Sequence, residues 1–335
     1  MTQALVVPVL LCLLPVLGLL ATLVLLDSYA LVPLRVVAAM LGVGVVMAIG
    51  SYFANAWLMT AFGMPLSDYS RYGAPLVEEA LKAAVIVWLI HRHRVGFLVD
   101  AAIMGFALGC GFAVVENLYA VWRIPDAGVS TWIVRGFGTA IMHGGATSAF
   151  AVVSLAILER DEGHGLLAVL PAFVVAAVLH SGFNHLVHEP VFAACAMIVA
   201  VPLLLMLAWH HGEKTLGDWL GRGFDADTEL LALINSGCLS ASPVGHYLIG
   251  LKTRFNGPVV ADLLCYLRLF TELSLRAKGM LLMRENGFEP DIDETTQAGL
   301  AELNHLERTI GMTGLMALQP LLPMRRKALR QLYLL

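Results

Sequence analysis

The sequence predicts an all-α protein: a polytopic membrane helix bundle of about seven transmembrane helices, followed by a small helical cytosolic domain. Three observations predict it. Of the 335 residues, 59% are hydrophobic and 14% are charged, against roughly 25% charged in a soluble domain, and the mean hydropathy is +0.78. The apolar residues gather into runs close to or above the roughly 20 residues that cross a bilayer as a helix. Beyond about residue 213 those runs stop and charged residues recur regularly. A net charge of −4 supplies no basic face for a nucleic acid, so none is expected as a partner. The five cysteines show no paired spacing and no C-x-x-C; three lie in apolar runs and read as small core residues.

The first run, 4–26, lacks the basic leader and small-residue cleavage site of a signal peptide, so it is expected to stay as a membrane helix. Further runs follow at 34–62, 74–90, 97–121, 131–157, 166–188 and 190–209, joined by short connections. "HRHR" (91–94), "ERDEGHG" (159–165) and the tail opening "HHGEKTLGDW" fall on one side, while the other side has only Arg71 and Arg123 near the span ends. The positive-inside rule then puts the N-terminus outside and the tail in the cytoplasm of a bacterial-type inner membrane. The transmembrane part is assigned to 1–212 and the helical cytosolic domain to 213–335. In that domain, 259–287 and 294–322 carry apolar residues at helical spacing, the first stopping at Asn286–Gly287. No catalytic pattern is visible there, and the basic end "MRRKALR" (324–330) reads as a solvated helix end.

The third run, "APLVEEALKAAVIVWLI" (74–90), carries Glu78, Glu79 and Lys82 where each charge costs about 2.5–3.5 kcal/mol on insertion scales. Depth suggests why. Entering from outside near Gly73, the two acids lie roughly 8 Å in at 1.5 Å per residue. Glu116 and Asn117, near the outer end of the fourth span, come to a similar depth, as do His180 and Asn184 in the sixth; His143 in the fifth lies deeper. Lys82 follows Glu78 by four residues and Glu79 by three, so it can pair with either. Neighbouring glutamates point about 100° apart, so one can face a site while the other holds Lys82. Small residues in "GFALGCGFAVVENLYA" (105–120) let helices approach closely.

Such a set suits water activation. A desolvated carboxylate, Glu78 or Glu79, can take a proton from water. A histidine can assist it or bind a metal, and Asn184 can donate to a developing oxyanion. Alternatively, Glu116, His143 and His180 supply three N/O ligands, as in a catalytic zinc site with a position left for water. Both versions describe hydrolysis, and the sequence leaves both open.

The same residues carry a resemblance. "EEALK" (78–82) fits an E-E-x-x-K motif and "GFAVVENLYA" (111–120) an F-x-x-x-E-N motif, while "MHGGATSA" (142–149) and "HSGFNH" (180–185) supply later histidines in the same order. Over about 70–190 the chain resembles the PrsW family of intramembrane proteases, relatives of the CAAX-prenyl and bacteriocin-processing proteases. The resemblance implies that Glu78, Glu79, Glu116, His143 and His180 form the core of the site. His180 and Asn184 also match an H-x-x-x-N pair taken to hold an oxyanion in the CAAX group, whose members have a histidine where this chain has Glu116. It further implies a membrane-anchored protein substrate, such as an anti-sigma factor cut outside the membrane, with the lipid bilayer as surroundings.

Taken singly, each residue has a plainer reading. Glu78 and Glu79 would make an acid–lysine lock, Glu116 an interfacial carboxylate beside Trp122 and Arg123, and His143 a packing histidine. Asn117 reads as a helix–helix hydrogen bonder, and Asp100 and Arg135 as groups that snorkel or pair with loops. His91, His93, His164, His210 and His211 fall in loops and are assigned no chemistry. A proton-coupled transporter would place ionisable groups at one depth too, but no inverted repeat is visible. A membrane scaffold working through its tail is the third class.

Overall fold

The computed structural model of the chain describes residues 2–160, 166–186, 189–288, 290–322, 329 and 333. His164, His188 and all but one residue of the basic stretch 324–330 lie outside the described residues. The chain forms two compact units, Met1–Gly212 and Glu213–Leu335. Among the described residues there is no strand.

Among the described residues, the apolar runs of the first unit are helical almost throughout. In order these are α1 (Thr2–Leu26), α2 (Leu34–Phe62), α3 (Ala74–His91), α4 (Leu98–Arg123), α5 (Val129–Val134), α6 (Ile141–Arg160), α7 (Leu170–His185) and α8 (Pro190–Asn235). Among the described residues, five segments are long and apolar enough to cross a membrane: Leu5–Leu26, Leu34–Phe62, Leu98–Arg123, Val129–Leu158 and Pro190–Asn235. Two of the seven expected spans fall short for physical reasons. α3 has 18 residues and three charges, and α7 has 16 residues. α2 stops at Gly63, whose φ of 60° is the left-handed geometry that glycine adopts without a Cβ penalty.

α4 is the centre of this unit, buried continuously from Val99 to Ala113. Glycines let it lie backbone to backbone against two neighbours. A Cβ on Gly109 would fall 2.2 Å from the His143 carbonyl oxygen of α6, and one on Gly111 2.1 Å from that of Leu41 in α2. Such contacts are how membrane helices associate, since lipid supplies no hydrophobic drive between them. The outer helices instead present large apolar side chains outward, among them Leu25, Phe53, Val199 and Met206.

Among the described residues, two π-helical turns interrupt the bundle, at Tyr69–Gly73 ahead of α3 and at Arg135–Ala140 ahead of α6. Each adds a residue per turn and so re-aims the side chains that follow it, a device common at functional sites.

In the second unit, the C-terminal part of α8 is followed by α9 (Pro243–Leu251), α10 (Gly257–Glu285) and α11 (Glu294–Leu318). α9, α10 and α11 begin at side-chain caps, Ser242, Asn256 and Asp293, each accepting from a backbone N–H three residues on. α10 is buried along Leu263, Tyr266, Leu267 and Phe270. Lys278 is fully buried, donates to Asp227 at 2.8 Å and lies 4.8 Å from the Trp219 ring. Gly223 leaves room for it, because a Cβ there would be 2.6 Å from the Lys278 Nζ.

Candidate functional site

The site is built from α3, α4, α6 and α7, each supplying a polar group to one buried cluster. On α3, Glu79 is 2% exposed and lies against Lys82, one turn on, with Oε1 2.5 Å from Nζ. The same oxygen is 2.8 Å from the Nδ1 of His180 on α7. A carboxylate can only accept, so Nδ1 carries the hydrogen and Nε2 keeps its lone pair. That lone pair faces Glu78, whose Oε2 is 3.9 Å away.

His143 of α6 sits between the acids of α3 and α4. Its Nδ1 is 3.3 Å from the Lys82 Nζ, and its Nε2 is 2.5 Å from Oε2 of Glu116. Lysine only donates, so Nδ1 accepts and Nε2 is the N–H that faces Glu116. The other Glu116 oxygen accepts from Arg135 Nη2 at 2.8 Å. The two imidazole rings stand edge to face with centroids 4.8 Å apart, and Phe112 of α4 covers both His143 and Lys82. A continuous chain of polar contacts therefore runs Arg135, Glu116, His143, Lys82, Glu79, His180.

Two flanking side chains fix the first π-turn: Asn184 Nδ2 donates to the Ser70 carbonyl at 2.8 Å, and the Ser181 hydroxyl to that of Arg71 at 2.7 Å. Asn117 reaches across to α1, donating to the Cys12 carbonyl at 3.2 Å, which is the helix–helix role its sequence position suggests. Asp100 accepts from the backbone N–H groups of Gly96 and Phe97 at the start of α4, a pairing with its loop.

Of the residues the sequence singled out, Glu78, Glu79, Lys82, Glu116, His143 and His180 come together, whereas the Asn184 amide expected at an oxyanion donates to the Ser70 carbonyl instead. Ligand atoms of Glu78, His143 and His180 all lie within 4.8 Å of one another, and these three could hold a metal ion. The sequence put Glu116 with the two histidines; here Glu116 joins them through its contact with His143 and its ion pair with Arg135.

Two further side chains join the site: Arg135, which its place near a span end marks as a snorkelling or loop-pairing cation, and Asn55, which has no sequence reading. Arg135 holds Glu116 and also donates from Nε to Asn117 at 3.0 Å. Asn55 of α2 donates to Glu78 at 3.1 Å. The available signal was the same as for the acids, a polar side chain inside an apolar span.

A bundle of long apolar helices enclosing a cluster of three glutamates, two histidines and a lysine defines a multi-pass membrane protein with an ionisable intramembrane site. A family model described as PrsW family intramembrane metalloprotease matches residues 32–207, more than half of the chain and all of the site helices. The chain belongs to this family. No curated protein and no solved structure matches it.

Proposed function

We propose that the chain is an intramembrane endopeptidase that hydrolyses peptide bonds of membrane-associated protein substrates. It sits in the cytoplasmic membrane with residues 213–335 on the cytoplasmic side and the site toward the outer face. An anti-sigma-factor-like substrate suits a site in that half. The observation that carries this reading is the convergence of Glu78, His143 and His180 within 4.8 Å.

The donor set fits zinc. One carboxylate and two imidazoles with an open position is a catalytic zinc arrangement. His180 has the carboxylate-backed Nδ1 that orients metal-binding imidazoles, with Glu79 as the backing group. Zinc held by Glu78, His143 and His180 would polarise the scissile carbonyl and bring bound water to a pKa of about 7.

The chain's own groups do the rest. Glu79 fixes the His180 tautomer, and Lys82 balances its charge so that the pair stays buried. Glu116, with 36% of its side chain exposed, is the most exposed of the three glutamates. It accepts the proton lost by the attacking water as oxygen bonds to the carbonyl carbon. It then delivers that proton to the nitrogen as the C–N bond breaks. Arg135 holds the second Glu116 oxygen and keeps the first aimed inward.

A metal-free reading has its own observation: both His143 nitrogens are engaged, by Lys82 and by Glu116. In it Glu78 is the water-activating base, with His180 as its partner.

One experiment tests both. Zinc is measured in the purified full-length protein, and newly formed N-termini are compared between membranes carrying wild type, Glu78→Gln or His180→Ala. Near-stoichiometric zinc that is absent in His143→Ala, with loss of the cleavage products in both other variants, is the expected result. Cleavage without zinc selects the second reading, and cleavage at the wild-type rate in both variants overturns the protease assignment.

A further inference from the structure

The second polar layer around Glu78 comes from outside the four site helices. Asn55 lies on α2, seven residues before its C-terminal end at Phe62, in a mostly apolar stretch. Its Nδ2 donates to Glu78 Oε1 at 3.1 Å, while its Oδ1 accepts from the Tyr69 hydroxyl at 3.0 Å. Tyr69 is buried, at 4% exposure, in the first π-helical turn.

Three features make this a directed arrangement. An ionised carboxylate only accepts, so the amide must present its nitrogen to Glu78; flipping it would set two oxygens against each other at that distance. In this orientation the amide oxygen accepts from the Tyr69 hydroxyl, so both ends of the amide are engaged. Gly73, four residues on, leaves room for the ring: a Cβ there would fall 2.6 Å from the Tyr69 Cε2.

The arm engages one carboxylate oxygen and leaves the other free. Glu78 Oε1 takes the Asn55 hydrogen bond, and Oε2 is the oxygen facing His180 Nε2 at 3.9 Å. Resting on the zinc reading above, we infer that Asn55 and Tyr69 are positioning residues that fix the rotation of the Glu78 carboxylate, so that Oε2 is presented to the metal. Tyr69 acts through Asn55, and Asn55 acts through Glu78. The π-turn gives Tyr69 its place, and the Asn184 and Ser181 contacts to the carbonyls of Ser70 and Arg71 hold that turn.

Outer-shell partners of this kind are worth about 10–100-fold in metal affinity. The test is zinc affinity of the full-length protein in detergent, read by competition with a chromophoric chelator. Wild type is compared with Asn55→Ala, Tyr69→Phe and the double variant, and thermal unfolding is followed in parallel. Asn55→Ala is expected to weaken zinc binding by about 10–100-fold. Tyr69→Phe, which removes one hydroxyl and keeps the buried ring, is expected to weaken it less and to leave the unfolding midpoint near that of wild type. In the double variant the Tyr69→Phe effect should disappear, because the amide it acts through is gone.

Each other outcome overturns something distinct. Zinc affinity within about twofold of wild type in both single variants, with or without a lowered midpoint, reduces Asn55 to a helix–helix hydrogen bond and ends the inference while the zinc site stands. A Tyr69→Phe effect that persists in full beside Asn55→Ala overturns the relay. Wild-type protein that takes up no zinc overturns the zinc reading, and the inference falls with it.

Discussion

Glu78 and Glu79 are adjacent in sequence and have opposite surroundings. Glu79 is 2% exposed and shares one oxygen between Lys82 and His180, so its charge is committed to neighbours. Glu78 is held at one oxygen by Asn55 and offers the other to the site. The sequence gives both residues the same depth and the same lysine within reach, because i,i+3 and i,i+4 are equally available on a helix. Only the neighbouring helices break the tie. Replacing Glu79 by Gln leaves a buried Lys82 without its counter-ion, which should cost about 3–5 kcal/mol of stability. Adding Lys82→Met should recover most of that loss. Unfolding of the purified variants in detergent measures both, and an unchanged midpoint in Glu79→Gln would show that the pair carries no net burial cost. Arg135 teaches the same lesson from the other side. Near the end of an apolar run it reads as a snorkelling cation, yet its fork spans Glu116 and Asn117. Long side chains are placed by whatever acceptor they can reach.

At the scale of elements, the helices were legible and their interruptions were not. Hydropathy marks runs that must satisfy their backbone internally, and the described residues of each such run in the first unit are helical almost throughout. The two π-turns, in YSRYG (69–73) and RGFGTA (135–140), leave no comparable trace, because one inserted residue changes the backbone hydrogen-bond pattern and not the composition. Close packing was half visible: glycines before Glu116 announce a tight interface without naming the partner. Gly109 meets the carbonyl of His143 itself. Gly109→Ala is therefore expected to push α4 from α6 and cost about 1–3 kcal/mol. Zinc binding should weaken in the same variant, and intact zinc affinity with an unchanged unfolding midpoint would contradict that packing.

The caps of the second unit make a pH prediction. Hydrogen bonds from Thr296, side chain and backbone, with help from Arg276, hold the Asp293 carboxyl below its ordinary range. A folded value depressed below the unfolded one contributes stability that is complete above about pH 4 and lost as pH falls through the folded value. Protection of the Thr296 amide, corrected for intrinsic exchange, should fall in that window. Asp293→Asn keeps the cap without the charge and should remove the pH dependence.

For the whole molecule, composition fixes the environment before any contact is known. A chain 59% hydrophobic with 14% charge belongs in a bilayer, and the family match over 32–207 agrees with that. The proposed polarity has a direct test. Cys238 and Cys265 are exposed in the second unit. A membrane-impermeant maleimide should label them in inverted vesicles and leave them unlabelled in right-side-out ones; the opposite pattern would move the site to the other leaflet.

The sequence alone determined that the chain is built of apolar helices suited to a membrane, and it suggested that Glu78, Glu79, Glu116 and His180 share a depth with His143 below them. Both follow from one-dimensional quantities, hydropathy and distance from a span end. Which groups touch was decided by tertiary structure: Glu78 with the two histidines, Glu116 with Arg135, Glu79 with Lys82, and Asn55 between Tyr69 and Glu78. Depth says nothing about rotation of a helix about its axis. In this bundle rotation is set by glycine contacts and π-turns, which depend on the partner helix as much as on the residues themselves.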